Sequence, residues 1–245
     1  MKKYPLYIVG AGAGDADLIS VKGARILEQS EVVVYDYLVD KSVLNYAPLD
    51  AEKICADELD DKRYSDGFSF RVKLITDLLV KKVRQGKKVV RLKNGDPTIF
   101  SRLNEELTAL RKNRIAFRII PGISAFQSAS AISGIPLTAR DVSSSVCITT
   151  GHEANQKRRS LVDWKKVAGN DTIVLYMAVE NLEKVRRQLI AAGRKASLPV
   201  AVISQVGSVY QKMITGRLID IARKARLAKV AAPAIVIVGE VVNKE

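Results

Sequence analysis

The sequence predicts an α/β protein built around a parallel-rich sheet. Short apolar runs bounded by glycine, proline or polar turns alternate with stretches of helical spacing, the pattern of βαβ units. Several of these runs end on a glycine or an acid, as strands do at the ligand-binding edge of such sheets. At 245 residues the chain is long enough for one large domain or for two of about 100–150 residues. A domain change is placed near residues 121–124, which would give 1–121 and 122–245.

In chain order, LYIVGAG (6–12) reads as a strand running into a glycine loop. DLISVKGARILEQ (17–29) has helical spacing through Leu18, Val21, Ile26 and Leu27. EVVVYD (31–36) is an apolar strand ending on an acid. The helix-like RVKLITDLLVKKVRQ (71–85), the strand KVVRLK (88–93) and the helix EELTALRKN (105–113) follow, and FRIIPG (117–122) closes the first half. The second half opens with the small-residue helix SAFQSASAIS (124–133) and the loop-like residues 133–144. VCITTGH (146–152), DTIVLYMA (171–178), LPVAVISQ (198–205) and APAIVIVGEVV (232–242) read as strands. NLEKVRRQLIAAG (181–193) is an amphipathic helix closed by glycine.

Apolar residues make up 47% and charged residues 27%, ordinary values for a soluble enzyme. No apolar run approaches the ~18–20 residues of a membrane span, and the first apolar run enters a glycine loop rather than a cleavage site. Cys55 and Cys147 give neither a disulfide framework nor metal-ligand spacing, and with His152 the single histidine no metal site is expected. A cytoplasmic protein with reduced thiols is the expectation. Forty Lys and Arg against 26 Asp and Glu leave +14, which suits an anionic partner: nucleic acid, a phosphorylated metabolite or a polycarboxylate. Charge alone does not choose among them.

The glycine loop resembles a dinucleotide fingerprint but departs from it. The pattern G-x-G-x-x-G needs glycine at 10, 12 and 15, and this chain has Asp15. Asp36 does stand where a ribose-binding acid would be, yet an acid at the loop mouth repels a pyrophosphate. A tight turn exposing backbone to a different ligand fits better. In VVRLKNGDPTIFSR (89–102), a turn with Ile99 and Phe100 buried accounts for the apolar residues. It leaves unexplained an acid held between glycine and proline at a strand's carboxyl end. The small residues of IIPGISAFQSAS (119–130) either permit close packing or let a ligand reach the backbone. His152 reads as a structural loop histidine, Met177 as core and Trp164 as the anchor of a surface helix.

Together and in this order, these segments resemble the tetrapyrrole methyltransferase family over nearly the whole chain. VGAGAGDADLISVKGARILEQSEVVVYDYLV is similar to its N-terminal signature, VVRLKNGDPTIF to its Gly-Gly-Asp-Pro segment and IIPGISAFQSASAISGIPLTARDVSSSVCITTGH to its central motif. TIVLYMA and PAIVIVGEVV match later ones. The resemblance implies two domains, each a mixed sheet flanked by helices, with the tetrapyrrole on the 1–121 side, S-adenosylmethionine on the 122–245 side and the active site in the cleft between. It implies a homodimer that needs no metal. By motif the cofactor touches Ala13, Gly95, Asp96, Ile99, Ser124, Ala125, Met177 and Gly207, while Asp36 matches the proposed proton acceptor. The Asp-Tyr of VVVYDYLV and the TTGH stretch favour the member that methylates uroporphyrinogen III at two pyrrole β-carbons, giving precorrin-2 for sirohaem or cobalamin.

Departures from the family pattern are Ala13 for proline, Asn94 for glycine, and FSRLNEE where Phe-Gly-Arg-Gly is usual. After AEKIC the family has a short Gly-Lys-Arg segment whose lysine is a proposed proton donor; here ADELDDKRYSDGFSF is longer and acidic. Aligned without an insertion, Glu58 takes that lysine's place; a short insertion restores Lys62, the preferred reading. Methylation of another precorrin intermediate is an alternative. A basic nucleic-acid-binding protein on an inactive scaffold is another, although no aromatic-interleaved basic stripe supports it.

Overall fold

The computed structural model describes residues 4–59, 67–152 and 161–243, with the backbone alone at 67–70. The chain divides into two compact units, Met1–Ala125 and Phe126–Glu245.

The first unit contains β1 (Leu6–Gly10), α1 (Val21–Leu27), β2 (Val32–Tyr35), β3 (Glu52–Cys55), α2 (Gly67–Arg84), β4 (Val89–Lys93), α3 (Leu103–Lys112) and β5 (Phe117–Ile120). Its five strands lie in the order β3-β2-β4-β1-β5, and every pairing is parallel. Successive side chains of a strand point to opposite faces. Val9, Val33, Leu92 and Ile120 therefore pack on one face with Leu27 of α1 and Val43 and Leu44 of a 3₁₀ helix at Lys41–Tyr46. Leu6, Ile8, Val34 and Val89 pack on the other with Ile75 and Leu79 of α2 and Leu107 and Leu110 of α3. The chain leaving β1 and β2 thus crosses one face, and the chain leaving β4, between them, crosses the opposite one. Their carboxyl ends form a topological switch point, where open α/β sheets bind ligands.

The helix expected at 17–29 is interrupted. A 3₁₀ turn at Ala16–Leu18 is capped by Asp15, whose side chain accepts from the Asp17 N–H at 2.9 Å. Ile19 is extended, and α1 begins only after Ser20, whose hydroxyl accepts from the Gly23 N–H at 3.1 Å. Val21, expected on the apolar stripe, is exposed.

In the second unit, α4 (Ala125–Ser133) starts at the boundary. It is followed by β6 (Val146–Thr150), α5 (Trp164–Ala168), β7 (Thr172–Tyr176), α6 (Leu182–Ala191), β8 (Pro199–Ser204), β9 (Lys212–Arg217), α7 (Ile221–Leu227) and β10 (Ala234–Val238). The sheet order is β6-β7-β10-β8-β9. Only β6 and β7 pair in parallel; β10 runs antiparallel to both neighbours and β9 to β8, so this sheet is mixed. Ile173, Leu175, Val200, Val202 and Val236 face Leu182, Val185 and Leu189 of α6 and Ile221 of α7, and Trp164 packs against the same cluster from α5. Each such fully buried aliphatic side chain contributes about 1.5–3 kcal/mol.

Candidate active site

Three glycines at the ends of β1, β4 and β5 explain the opening motif. A Cβ on Gly10 would lie 2.5 Å from the Gly122 nitrogen and 2.6 Å from the Gly95 oxygen; one on Gly122 would lie 2.4 Å from the Gly95 oxygen. No side chain fits, so three backbones meet there directly. Beyond them Gly12 and Gly95, both at positive φ, exchange backbone hydrogen bonds of 3.3 and 2.7 Å. The loop that resembles a dinucleotide fingerprint is therefore filled by its own neighbours, and Asp15 serves as a cap.

Asp96 fastens the same junction. Its Oδ2 accepts from the Gly122 N–H at 3.0 Å, and its Oδ1 accepts from the Thr98 N–H at 2.7 Å and from the Thr98 hydroxyl. The acid between glycine and proline thus joins the loop after β4 to the loop after β5. Around it Ala13 and Ser124 are buried, while Ile99 and Ala125 are half-buried. Phe100, expected in the core beside Ile99, is 46% exposed instead. Its φ of 47° places it in the left-handed region, an uncommon conformation for a bulky residue.

Asp36 immediately follows β2, and its N–H donates to the Leu92 carbonyl at 3.1 Å. Beneath it lies a network that the sequence reading missed. Arg91, Lys93 and Glu106 are 1%, 2% and 3% exposed. Arg91 Nη2 donates to Asp36 Oδ1 and, at 3.2 Å, to Glu106 Oε1, while its Nε donates to Glu106 Oε2 at 3.3 Å. Lys93 Nζ donates to Glu106 Oε1 at 2.5 Å. Burial pushes the Asp36 carboxyl up, but the charges of Arg91 and Lys93, with hydrogen bonds from Arg91 and the Asn94 backbone, hold it below its ordinary value. Its side chain remains 28% exposed, so a paired carboxylate looks out of the sheet edge. Arg91 and Lys93 sit on alternate positions of a strand that is otherwise apolar, the one signal that was legible beforehand.

The next residue, Tyr37, donates its N–H to Asp57 Oδ2 at 2.8 Å, and Asp57 pairs with Arg71 of α2 at 3.3 Å. Glu58 lies beside it in a 3₁₀ turn at Ala56–Glu58. Lys62 lies outside the described residues.

In the second unit, Met177 follows β7 at φ 52° and is 51% exposed, which corrects its expected place in the core. A left-handed, half-exposed methionine after a buried strand is a strained and solvent-facing position. Gly207, at φ 75°, donates its N–H to Gln211 Oε1 at 2.8 Å. The ring of His152 meets the Asn181 amide at 3.0 Å, consistent with a structural loop position. Cys55 and Cys147 are free thiols, and among the described residues no cluster of His, Cys, Asp or Glu could hold a metal.

Glycine-joined loops at a switch point, with an anchored acid beside them, make the carboxyl edge of the first sheet of this α/β chain the candidate ligand site. The sequence matches the family of Tetrapyrrole (Corrin/Porphyrin) Methylases over residues 5–222, and the chain belongs to that family. It is 41% identical over 237 residues to the uroporphyrinogen-III C-methyltransferase of Methanocaldococcus jannaschii, covering 96% of both chains. It is 42% identical to the siroheme synthase of Zymomonas mobilis, where it spans 98% of this chain but only 49% of that protein. Among solved structures, the Thermus thermophilus uroporphyrin-III C-methyltransferase complexed with S-adenyl homocysteine superposes with a TM-score of 0.80 at 30% identity. The superposition covers 97% of this chain and 93% of that one.

Proposed function

We propose that the protein transfers methyl groups from S-adenosylmethionine to two pyrrole β-carbons of uroporphyrinogen III, giving precorrin-2 for sirohaem or cobalamin synthesis. The match to a uroporphyrinogen-III C-methyltransferase over nearly the full length of both chains carries this reading. S-adenosylmethionine supplies an electrophilic methyl carbon on a sulfonium. The residues around the switch point suit such a molecule: Gly95 and Ala125 offer close backbone, and Ile99 and the exposed Phe100 offer apolar surface. Ala13, Gly95, Asp96, Ile99, Ser124 and Ala125 are proposed to touch the cofactor, and by motif so are Met177 and Gly207. Asp96 acts through the loop geometry that its carboxylate maintains.

When the pyrrole carbon bonds to the methyl group, the carbon–sulfur bond breaks and the ring gains positive charge. Asp36 supplies the opposite charge at the strand edge. Its lowered pKa makes it a reliable anion and a weak base, so stabilisation is its main role and the ring proton leaves to Asp36 or water. Uroporphyrinogen III carries many carboxylates, and the +14 chain complements them. Lys62 is the proposed proton donor, and the active form is proposed to be a cytoplasmic homodimer. No helix among the described residues is long and apolar enough to cross a membrane.

The test is anaerobic incubation of the purified protein with S-adenosylmethionine and uroporphyrinogen III. A product heavier by two CH2 units, a methyl gained and a proton lost at each transfer, is expected by mass spectrometry. Recovery of unmodified tetrapyrrole alone would contradict the reading, and conversion only of a later intermediate would assign the chain to a different step.

A further inference from the structure

Four charged groups meet at the carboxyl end of β4, and they balance: Arg91 and Lys93 against Asp36 and Glu106. Three of them are almost wholly buried, whereas Asp36 alone reaches solvent. Arg91 is held on every side. Its Nη1 donates to the Val34 and Leu92 carbonyls at 3.3 and 3.2 Å, its Nε and Nη2 reach Glu106, and the same Nη2 reaches Asp36. Glu106 also takes the Lys93 ammonium. Asp57, in the turn after β3, accepts from the Tyr37 N–H at 2.8 Å and pairs with Arg71 of α2 at 3.3 Å.

Stability does not explain such a set. Apolar residues of similar size commonly stabilise a core as well as a buried ion cluster does or better. Val89, on the same face of the same strand and further from its carboxyl end, is apolar. Charge enters only as the strand nears Asp36. Without Glu106, two buried cations would face one acid, and the field of Asp36 at the sheet edge would be cancelled.

We propose that Glu106 is a positioning residue for methyl transfer: by balancing Arg91 and Lys93 it leaves the Asp36 carboxylate free to act on the cationic ring. The proposal rests on the functional reading above. Glu106 touches no substrate; it acts through Arg91.

The experiment is steady-state methylation of uroporphyrinogen III by the full chain, Glu106→Gln and the double variant Lys93→Met/Glu106→Gln, with a thermal melt of each. Glu106→Gln is expected to lower kcat roughly tenfold or more. Its KM for the tetrapyrrole should be unchanged or lower, because the uncompensated positive charge attracts a polycarboxylate. The double variant, neutral again in its buried charges, is expected to recover most of kcat. A folded Glu106→Gln with wild-type kcat overturns the proposal, and so does a folded double variant no faster than the single one. If Glu106→Gln does not fold, a double variant with near wild-type kcat supports the proposal and a slow one overturns it. A wild-type chain that transfers no methyl group overturns both the functional reading and this inference, whereas an active wild type with an indifferent Glu106 removes the inference alone.

Discussion

At the residue scale, the charge of Asp36 links stability to the proposed chemistry. Its folded pKa lies below the ordinary 3.8, so the native state favours the anion. The resulting stability is fully present above the unfolded value and is lost as pH falls through the lower folded one. Denaturant titrations of wild type and Asp36→Asn are therefore expected to differ at pH 7, to draw together as pH falls below the ordinary 3.8 and to converge only below the lower folded value. A gap that persisted at acid pH would show that the Arg91 pairing is not its source. Asp36 was legible in the sequence as an acid ending an apolar run. Its partners were not, because Arg91 and Glu106 meet through the packing of α3 on β4 and no local spacing marks that contact. The pattern-based placing of Met177 in the core failed for a related reason: a left-handed backbone after a buried strand leaves no trace in a hydrophobic pattern, whereas its motif-based place at the cofactor stays a proposal.

At the scale of elements, the central strands were the readable ones. β1, β2 and β4, like β7, β8 and β10, lie inside their sheets and announce themselves as apolar runs, and the half-buried edge strands β5 and β6 kept enough apolar character to be read as well. β3 and β9 lie at the edges of their sheets, with exposed positions along EKIC and KMITGR, and they carry no such signature. The same logic hid the break before α1, where one serine cap ends a continuous helical pattern. The loops after β4 and β5 act as one joint through Asp96. Asp96→Ala removes acceptors from the Thr98 and Gly122 N–H groups and is expected to cost about 1–3 kcal/mol in urea unfolding. Binding of S-adenosylhomocysteine, followed by calorimetry, should weaken with it. Unchanged affinity would detach this joint from the cofactor site. Gly122→Ala, which forces a Cβ to 2.4 Å from the Gly95 oxygen, is expected to destabilise by about 1–3 kcal/mol or more by the same measurement.

At the scale of the whole molecule, the excess of positive charge was the first clue and remains the least specific. A polycarboxylate substrate gives it a purpose that salt can probe, since surface charges are screened over about 8 Å at physiological ionic strength. KM for uroporphyrinogen III is expected to rise with added salt while kcat holds. A KM indifferent to salt would assign the charge to solubility alone.

The proposed chemistry rests on a carboxylate after β2, anchored by a buried arginine, that stabilises positive charge on a ring undergoing methylation. Single-turnover methyl transfer by Asp36→Asn tests it most directly, with S-adenosylhomocysteine affinity as the control. The rate is expected to fall about a hundredfold with cofactor affinity unchanged. A variant that methylates uroporphyrinogen III at the wild-type rate would contradict it.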